Sequence, residues 1–280
     1  MNGDSMRIVS WNCEMALWKK YEAIQNEFDA DIYVIPECAN PAKSKSENYK
    51  EFAKNYIWIG ENKNKGLGIF AKNEDIKLKY IGEVNNKFAE DYLSWGNVNE
   101  DHIGKFSEED RKFDEIKEMG LLMEFRHFLP VRINNIFNLL AVWAMKPYVE
   151  VIHDFYNANK GLFNKNLVIC GDLNSSIRFD ENGEHKGKNF GMLIEKLDNH
   201  GLVPVFHHFN EEEILGHESK ITYLHQKNSD NGFHLDHVFA NPDIVDDLDI
   251  IDDVIKWKKL SDHFPVVFDF DENKFNKNLK

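Results

Sequence analysis

The stretch "MRIVSWNCEMALWKKYEAIQNEFDADIYVIPE" (Met6–Glu37) decides the fold class of this chain. Its two ends, "MRIVSWN" and "DIYVIPE", are apolar runs rich in branched residues, which predict short buried strands. Between them the spacing predicts a helix over residues 16–28, because one apolar face recurs at Leu17, Tyr21, Ile24 and Phe28. A strand, a helix and a second strand in this order predict an α/β protein.

Further along the chain, predicted strands come in neighbouring pairs. "YIWIG" and "GLGIFAK" are separated only by the polar segment "ENKNK", which predicts a hairpin. A doubly wound parallel sheet would contain no hairpins, so we predict a four-layer α/β/β/α sandwich of two mixed β-sheets flanked by helices. We expect a single domain over residues 6–272, with a polar insert at about 85–120 and a frayed tail over 273–280.

The composition limits both the partners and the compartment. The 280 residues include 48 acidic and 34 basic ones, and a net charge of -14 argues against a broadly basic surface for nucleic acid. A local basic patch or a metal site is still compatible with this charge.

The three cysteines form no CxxC pair, and such a sparse, odd number fits a reducing compartment. With neither a signal peptide nor an apolar run near the ~20 residues of a membrane helix, we predict a soluble cytoplasmic protein without a membrane span.

Carboxylates, amides and one histidine stand where the predicted strands begin or end. They are Asn12, Glu14, Glu37, Asp172, Asn174, Asp236, Asp262 and His263. Any one of them is more often just a strand end meeting solvent, so the prediction depends on the whole set. Carboxylates gathered at one edge would repel each other, and a divalent cation removes that cost. Oxygen ligands favour Mg²⁺ or Mn²⁺, and the scattered histidines lack the spacing of a zinc site.

The spacing within this set suggests how the residues cooperate. Asp172 and Asn174 are two apart, so in extended backbone their side chains would face the same side. Asp172 could then exchange a proton while Asn174 donates to a phosphate oxygen. Asp262 and His263 are adjacent, so we expect them in the loop before a strand, with Asp236 as the carboxylate that fixes the tautomer of His263.

The motifs that carry these residues resemble those of the endonuclease/exonuclease/phosphatase superfamily. "SWNCE", "DIYVIPE", "GLGIFAK", "VICGDLN", "FHLDHVFAN" and "LSDHFPV" follow each other in the order typical of that superfamily, from Met6 to about Phe270. The resemblance implies a four-layer sandwich and a catalytic domain that hydrolyses phosphoesters with a divalent metal. It also implies that Glu37 is the main metal ligand, with Glu14 and Asp262 as supporting ligands.

The same resemblance implies roles for the other residues of the set. Asp172 matches the acid/base that activates water or protonates the leaving oxygen, and Asn12 matches the residue that orients it. Asn174 matches a residue that positions the phosphate and the nucleophile. His263, paired with Asp236, matches the histidine that binds phosphate or acts as a base.

One position departs from the superfamily pattern. Many relatives carry His or Tyr at the end of the middle strand, where this chain has Trp143 in "NLLAVWAMKP". An indole donates one hydrogen bond and carries no charge, so Lys146 is our candidate for the positive charge. Trp143 and Lys146 therefore join Asn174 as candidate substrate-binding residues.

Three functions remain open on the sequence. The first is a nuclease that hydrolyses phosphodiester bonds of DNA or RNA with Mg²⁺ or Mn²⁺, binding nucleic acid transiently. The second keeps the chemistry for a small nucleotide, an inositol phosphate or a phospholipid headgroup. The third is an inactive binding module. The sequence identifies no protein partner.

Overall fold

The computed structural model describes residues 5–84, 86, 93–96, 125–181 and 188–277. Its strands are β1 Ser5–Ser10, β2 Ile32–Cys38, β3 Asn55–Asn62, β4 Lys65–Ala71, β5 Leu78–Tyr80, β6 Leu93–Gly96, β7 Phe128–Ile133, β8 Phe137–Trp143, β9 Leu167–Asp172, β10 Val203–Pro204, β11 Tyr223–Leu224, β12 Gly232–Phe233, β13 Asp236–Ala240, β14 Val245–Ile250 and β15 Val266–Asp271. Its α-helices are α1 Tyr21–Phe28, α2 Glu47–Phe52, α3 Val149–Ala158, α4 Ile177–Glu181, α5 Phe190–Asp198, α6 Val205–Phe209, α7 Val254–Trp257 and α8 Glu272–Lys277. Short 3₁₀ turns occur at Leu17–Lys19, Pro41–Lys43, Lys160–Leu162, His225–Lys227 and Pro242–Ile244.

The strands form two large sheets and one small one. The first sheet has the order β14-β15-β1-β2-β4-β3-β6, the second has β10-β13-β9-β8-β7-β5, and β11 pairs with β12. Each large sheet contains one parallel pair, β1 with β2 and β8 with β9, while its other pairs are antiparallel. Both sheets are therefore mixed, and the predicted fold class is confirmed.

Apolar side chains hold the layers together. Helix α1 buries Tyr21, Ile24 and Phe28, and Phe28 stacks on Trp257 with ring centres 5.6 Å apart. On the other outer layer Phe155 of α3 stacks on Phe128 of the second sheet at 4.6 Å. The two sheets meet through contacts such as Phe137 with Phe270, whose ring centres are 5.9 Å apart.

Three sequence predictions need correction or limits. The helix expected over 16–28 is a 3₁₀ turn and then α1, because the backbone at Ala16 and Lys20 leaves the helical region. The frayed tail is wrong for residues 273–277, which lie in α8, because fully buried Phe275 stacks on Phe137 at 4.7 Å. Residues 278–280, and most of the insert predicted at about 85–120, lie outside the described residues.

The topology brings strand ends from both sheets to one edge. Because parallel neighbours point the same way, β1 and β2 end together in the first sheet, as do β8 and β9 in the second. Strand β13 runs antiparallel to β9 and begins where β9 ends. Among the helices of the described residues, none is long and apolar enough to cross a membrane. The cytoplasmic location and the single domain over 6–272 stay predictions.

Candidate active site

One amide links the two sheets at this edge. Asn12, just after β1, is 1% exposed, and its Nδ2 donates to Oε1 of Glu37 at 3.3 Å and to Oδ2 of Asp172 at 3.0 Å. Glu37 belongs to the first sheet and Asp172 to the second. The structure therefore brings together three of the residues that the sequence singled out.

The close approach of β8 and β9 positions Asp172. In their parallel register Asp172 lies beside Trp143. Gly171 has φ +135°, and a Cβ there would lie 2.0 Å from the carbonyl oxygen of Val142. Only glycine fits this position, so the residue before Asp172 is fixed by backbone geometry.

The carboxylate of Asp172 is buried and hydrogen-bonded. The backbone N–H of Asn174 donates to its Oδ1 at 2.9 Å, and the Asn174 side chain donates to its Oδ2 at 2.9 Å. Asn174 has φ 49°, so a left-handed turn, rather than the extended backbone assumed from the sequence, brings it back to Asp172. Burial raises the pKa of Asp172 to about 7, with a further rise from Asp236 that His263 and the amides oppose.

His263 lies beside this carboxylate and is held by a second one. Its Nδ1 lies 2.7 Å from Oδ2 of Asp236, and its Nε2 lies 3.9 Å from Oδ2 of Asp172. Burial disfavours the imidazolium, but the charges of Asp236 and Asp172 outweigh it and raise the pKa of His263 to about 10. The ring is therefore a cation near neutral pH, and Nδ1 donates to Asp236. The Tyr223 ring packs against it with centres 4.7 Å apart.

Asp172, Asp236 and His263 could in principle hold a metal ion, because their ligand atoms lie within 4.8 Å of one another. A protonated imidazole, however, has no lone pair for a metal. Its Nδ1 is also engaged by Asp236. This trio fits proton transfer and charge stabilisation better than metal binding.

The predicted ligands Glu37, Glu14 and Asp262 are half-buried, whereas the members of this trio are buried. Burial raises the pKa of Asp262, and the nearby carboxylates Glu14 and Glu37 raise it further while His263 opposes them. Glu37 pairs with Lys65 (Oε2 to Nζ, 3.1 Å) and Glu14 with Lys227 (Oε2 to Nζ, 2.6 Å). Three mutually repelling hard-oxygen donors fit Mg²⁺ or Mn²⁺.

The three carboxylates are less tightly gathered than a formed metal site. Within the described ranges they do not bring ligand atoms within 4.8 Å of one another. Like charges keep them apart, and lysines neutralise two of them. Their role as ligands stays a prediction.

A cleft of about 850 Å³ opens beside Glu37 and Asn174. Three cations line it: Lys65, Arg126 and Lys146. Trp143 is 4% exposed, with the Lys65 ammonium 4.8 Å from its ring centre and the His127 ring at 4.4 Å. The indole therefore offers a substrate little surface and instead positions Lys65 through a cation–π contact.

Comparison with known proteins identifies the architecture. No protein-family model matches the sequence, and no curated protein matches it either. Among solved structures, the 3′ phosphatase NExo from Neisseria, bound to product DNA hairpin, aligns with a TM-score of 0.63 at 14% identity over 95% of this chain and 99% of that chain. An AP endonuclease from Archaeoglobus fulgidus aligns with a TM-score of 0.60 at 15% identity, covering 95% and 99%. The endonuclease domain of TRAS1, a telomere-specific non-LTR retrotransposon, aligns at 0.55 and 14% identity, covering 95% and 98%.

The chain has the endonuclease/exonuclease/phosphatase fold. At such low identity the likeness concerns the fold alone, so the residue roles stay predictions.

Sequence reasoning missed four residues near the site. They are Lys65, Arg126, Tyr223 and Lys227. A weak signal existed for Lys65, because it stands at the start of β4 in a hairpin that ends beside Glu37. Arg126 lies in a turn, Tyr223 in the short strand β11 and Lys227 in a 3₁₀ turn, and the positions of all three depend on the tertiary structure.

Proposed function

We propose that the chain is a divalent-metal-dependent phosphodiesterase that hydrolyses nucleic acid by in-line attack of water on phosphorus. The observation that carries this proposal is the buried Asp172 carboxylate, held by two amides and lying 3.9 Å from an imidazolium that a second carboxylate holds. General acid–base groups work best with a pKa near the operating pH.

Asp172 is suited to accept the proton of the attacking water. A pKa of about 7 leaves a large fraction of it ionised at neutral pH. The water oxygen forms the new bond to phosphorus, the bond to the leaving oxygen breaks in line, and the water proton passes to Asp172. The leaving oxygen takes its proton from solvent. Asn12 and Asn174 keep the carboxylate oriented during this transfer.

His263 is suited to stabilise the charge that develops on the phosphoryl oxygens. Its Nδ1 is engaged by Asp236, so its Nε2–H can donate to a phosphoryl oxygen. A divalent cation bound by Glu37, Glu14 and Asp262 would neutralise phosphate charge and polarise the phosphoryl group. Lys65, beside Glu37, adds a further positive charge at the cleft.

Two observations support nucleic acid as the substrate. The cleft beside the site is lined by Lys65, Arg126 and Lys146 in a chain of net charge -14, which fits a polyanion. Two of the structures with the same fold are described as an AP endonuclease and as a phosphatase bound to a DNA hairpin. The second candidate, hydrolysis of a small phosphate ester, is favoured by a cleft volume of about 850 Å³, which suits one compact ligand.

The decisive experiment measures hydrolysis of bis-p-nitrophenyl phosphate, single-stranded RNA, plasmid and abasic duplex, with Mg²⁺ or Mn²⁺ and with EDTA. We expect metal-dependent cleavage that Asp172→Asn lowers by about 10²- to 10⁴-fold in kcat, because the proton acceptor is lost. Activity on a small ester but on no polynucleotide would favour the second candidate. Hydrolysis that survives both EDTA and Asp172→Asn would contradict the mechanism.

The matched control is Asp198→Asn, which changes the same charge at an exposed position at the end of α5. It should leave turnover at the wild-type level. Thermal unfolding of Asp172→Asn must show a cooperative transition, so that lost activity is not lost fold.

A further inference from the structure

A second groove is lined in part by Ala39 and Asn40, which come two and three residues after Glu37 in the chain. It has a volume of about 440 Å³, and its lining includes Trp18, Lys43, Lys45 and Lys63 with small polar residues between them. None of these four belongs to the site described above.

The walls of this groove are fixed to each other by hydrogen bonds. The backbone N–H of Asn40 donates to the carbonyl oxygen of Lys63 at 2.9 Å, which joins the loop after β2 to the β3–β4 turn. The Tyr49 hydroxyl donates to the Ala39 carbonyl at 2.8 Å from within the core. The side chain of Asn40 accepts from the N–H of Ala42 at 2.9 Å and so shapes the turn that carries Lys43. The lysines therefore project from an ordered surface.

The charge of the groove is opposite to that of the chain. Its lining contains three lysines and no carboxylate, although the chain has 48 acidic residues and 34 basic ones. Lys43, Lys45 and Lys63 are exposed, and in the part of the chain that the structure describes none of them forms an ion pair. Three neighbouring cations without a carboxylate attract an anionic ligand with several charges.

Trp18 adds an aromatic surface to these cations. It is 43% exposed, whereas Trp11, Trp58 and Trp257 are at most 2% exposed. The ammonium of Lys19 lies 4.7 Å from the centre of this ring and adds a further positive charge beside it. Aromatic rings beside lysines are the usual means of binding a nucleic-acid strand, because bases stack on the ring while phosphates contact the cations.

The lining of the groove is close in the chain to residues of the candidate active site. Ala39 in its lining is two residues beyond Glu37, a chain distance of at most about 7 Å. Lys65, in the cleft, and Lys63, in the groove, belong to the same β-hairpin and differ by two positions. An extended polyanion with one phosphate at Glu37 would therefore place its neighbouring phosphates in the groove.

We propose that this groove binds an unpaired strand of nucleic acid next to the reacting phosphodiester. Lys43, Lys45 and Lys63 contact its phosphates, and Trp18 stacks on a base. The strand is unpaired there because a base held in a duplex cannot present its face to the indole. This inference rests on the proposed function and names its substrate as a polynucleotide with a single-stranded segment.

The test separates binding from chemistry. A short fluorescein-labelled single strand is titrated with full-length protein in EDTA, following anisotropy at several salt concentrations, and hydrolysis of bis-p-nitrophenyl phosphate is measured separately with Mn²⁺. In the variant with Lys43→Gln, Lys45→Gln and Lys63→Gln, we expect affinity to fall at least about tenfold at low salt. The slope of log K against log salt should fall by roughly 0.7 per lost phosphate contact. Hydrolysis of the small ester should stay at the wild-type level.

Trp18→Ala isolates the stacking contribution. We expect affinity for the single strand to fall by about fivefold to a hundredfold, with the salt slope unchanged, and Trp18→Phe to recover most of it. A fully paired duplex of the same sequence should bind more weakly than the single strand and should not respond to Trp18→Ala.

The matched control replaces three exposed lysines at the opposite ends of the strands, as Lys79→Gln, Lys160→Gln and Lys165→Gln. It makes the same change in net charge and should keep wild-type binding. Equal losses in the two triple variants, or wild-type binding by the groove variant, would overturn the inference. Failure of the proposed function would look different, since the wild type would then leave bis-p-nitrophenyl phosphate intact whatever it binds.

Discussion

Two buried histidines on either side of Asp236 have opposite electrostatic properties. His263 and His237 are each 4% exposed, yet the pKa of His263 is raised to about 10 and that of His237 is lowered to about 3. His237 directly follows Asp236 in β13, so the two side chains leave opposite faces of the strand. Asp236 faces His263, whereas His237 packs against Phe190 and His234.

The difference comes from the partner of each ring. Burial disfavours the charged form of both rings, and for His237 it is the largest cause of the low pKa, with a further lowering by His234. The Nε2 of His237 lies 2.9 Å from the carbonyl oxygen of Ser175, a neutral group. Only His263 has carboxylates close enough to reverse the effect of burial. Of these two buried rings, the one that is hydrogen-bonded to a carboxylate has a raised pKa and the one that contacts a neutral carbonyl has a lowered pKa.

The largest expected effect comes from breaking the contact that makes His263 a cation. In Asp236→Asn the ring loses its charged partner, burial favours the neutral form, and the phosphoryl charge loses its stabilising donor. We expect kcat on bis-p-nitrophenyl phosphate to fall by about 10²- to 10⁴-fold. Steady-state kinetics with Mn²⁺ measure it, and turnover within a few-fold of wild type would refute the role of the pair.

Proton NMR of the metal-free protein sharpens the same comparison. Between pH 5 and 8 the His263 ring should stay protonated and the His237 ring neutral, so neither resonance should titrate in that range. Single substitutions of each histidine assign the resonances. A His263 resonance with a midpoint between pH 5 and 8 would contradict the electrostatic argument.

The pH dependence of stability should differ in sign for the two rings. Because the pKa of His237 is lowered in the folded state, this ring does not reduce the free energy of unfolding above about pH 6.5. As the pH falls from there toward 3, His237 binds a proton in the unfolded chain but not in the folded one, so the free energy of unfolding decreases. His263 acts oppositely, since its stabilisation is complete below about 6.5 and is lost as the pH rises toward 10.

Urea unfolding at a series of pH values measures this difference. Below pH 6.5 the free energy of unfolding should decrease less steeply with falling pH in His237→Asn than in the wild type. The two slopes should differ by up to roughly 1.4 kcal/mol per pH unit. Other buried rings of lowered pKa, His127 and His153 among them, keep part of the slope. Parallel curves for variant and wild type would mean that His237 is protonated in the folded state.

The smallest effect is expected at an exposed ion pair on the same sandwich. Arg7 and Asp269 form two hydrogen bonds of 2.8 Å across β1 and β15, but the Arg7 side chain is 47% exposed. Asp269→Asn should lower the free energy of unfolding by at most about 1 kcal/mol and leave turnover unchanged. Asp269→Asn is the matched control for Asp236→Asn. If it lowered the free energy of unfolding as much as Asp236→Asn does, the comparison would be contradicted.

Much of the architecture could be predicted from the sequence, because strand periodicity and hairpin spacing are local signals. The convergence of the polar residues could also be predicted, since the ends of parallel strands share an edge. Asp172, Asn12 and Glu37 are in fact in contact there, and Asp236 reaches His263. Their chemical roles are proposals that the kinetic experiments address.

What the sequence could not give depends on contacts between distant segments. It assigned the positive charge near Trp143 to Lys146, three positions further along the chain. Lys146 does line the cleft, but the ammonium over the indole is that of Lys65 from the other large sheet. The tail was expected to fray because chain ends usually do, and only the position of Phe137 shows where the Phe275 ring is buried. The left-handed backbone conformation of Asn174 could likewise not be predicted from the spacing of apolar residues.

The amide of Asn12 joins the two sheets where their strands end, since it follows a strand of one sheet and its 3.0 Å hydrogen bond ends on Asp172 of the other. The spacing between the sheets is therefore transmitted directly to the alignment of the proton acceptor. A larger side chain introduced between the sheets, far from any reacting atom, would increase their separation. We expect turnover to fall at a separation that is still too small to unfold the protein, so turnover reports the distance between the sheets.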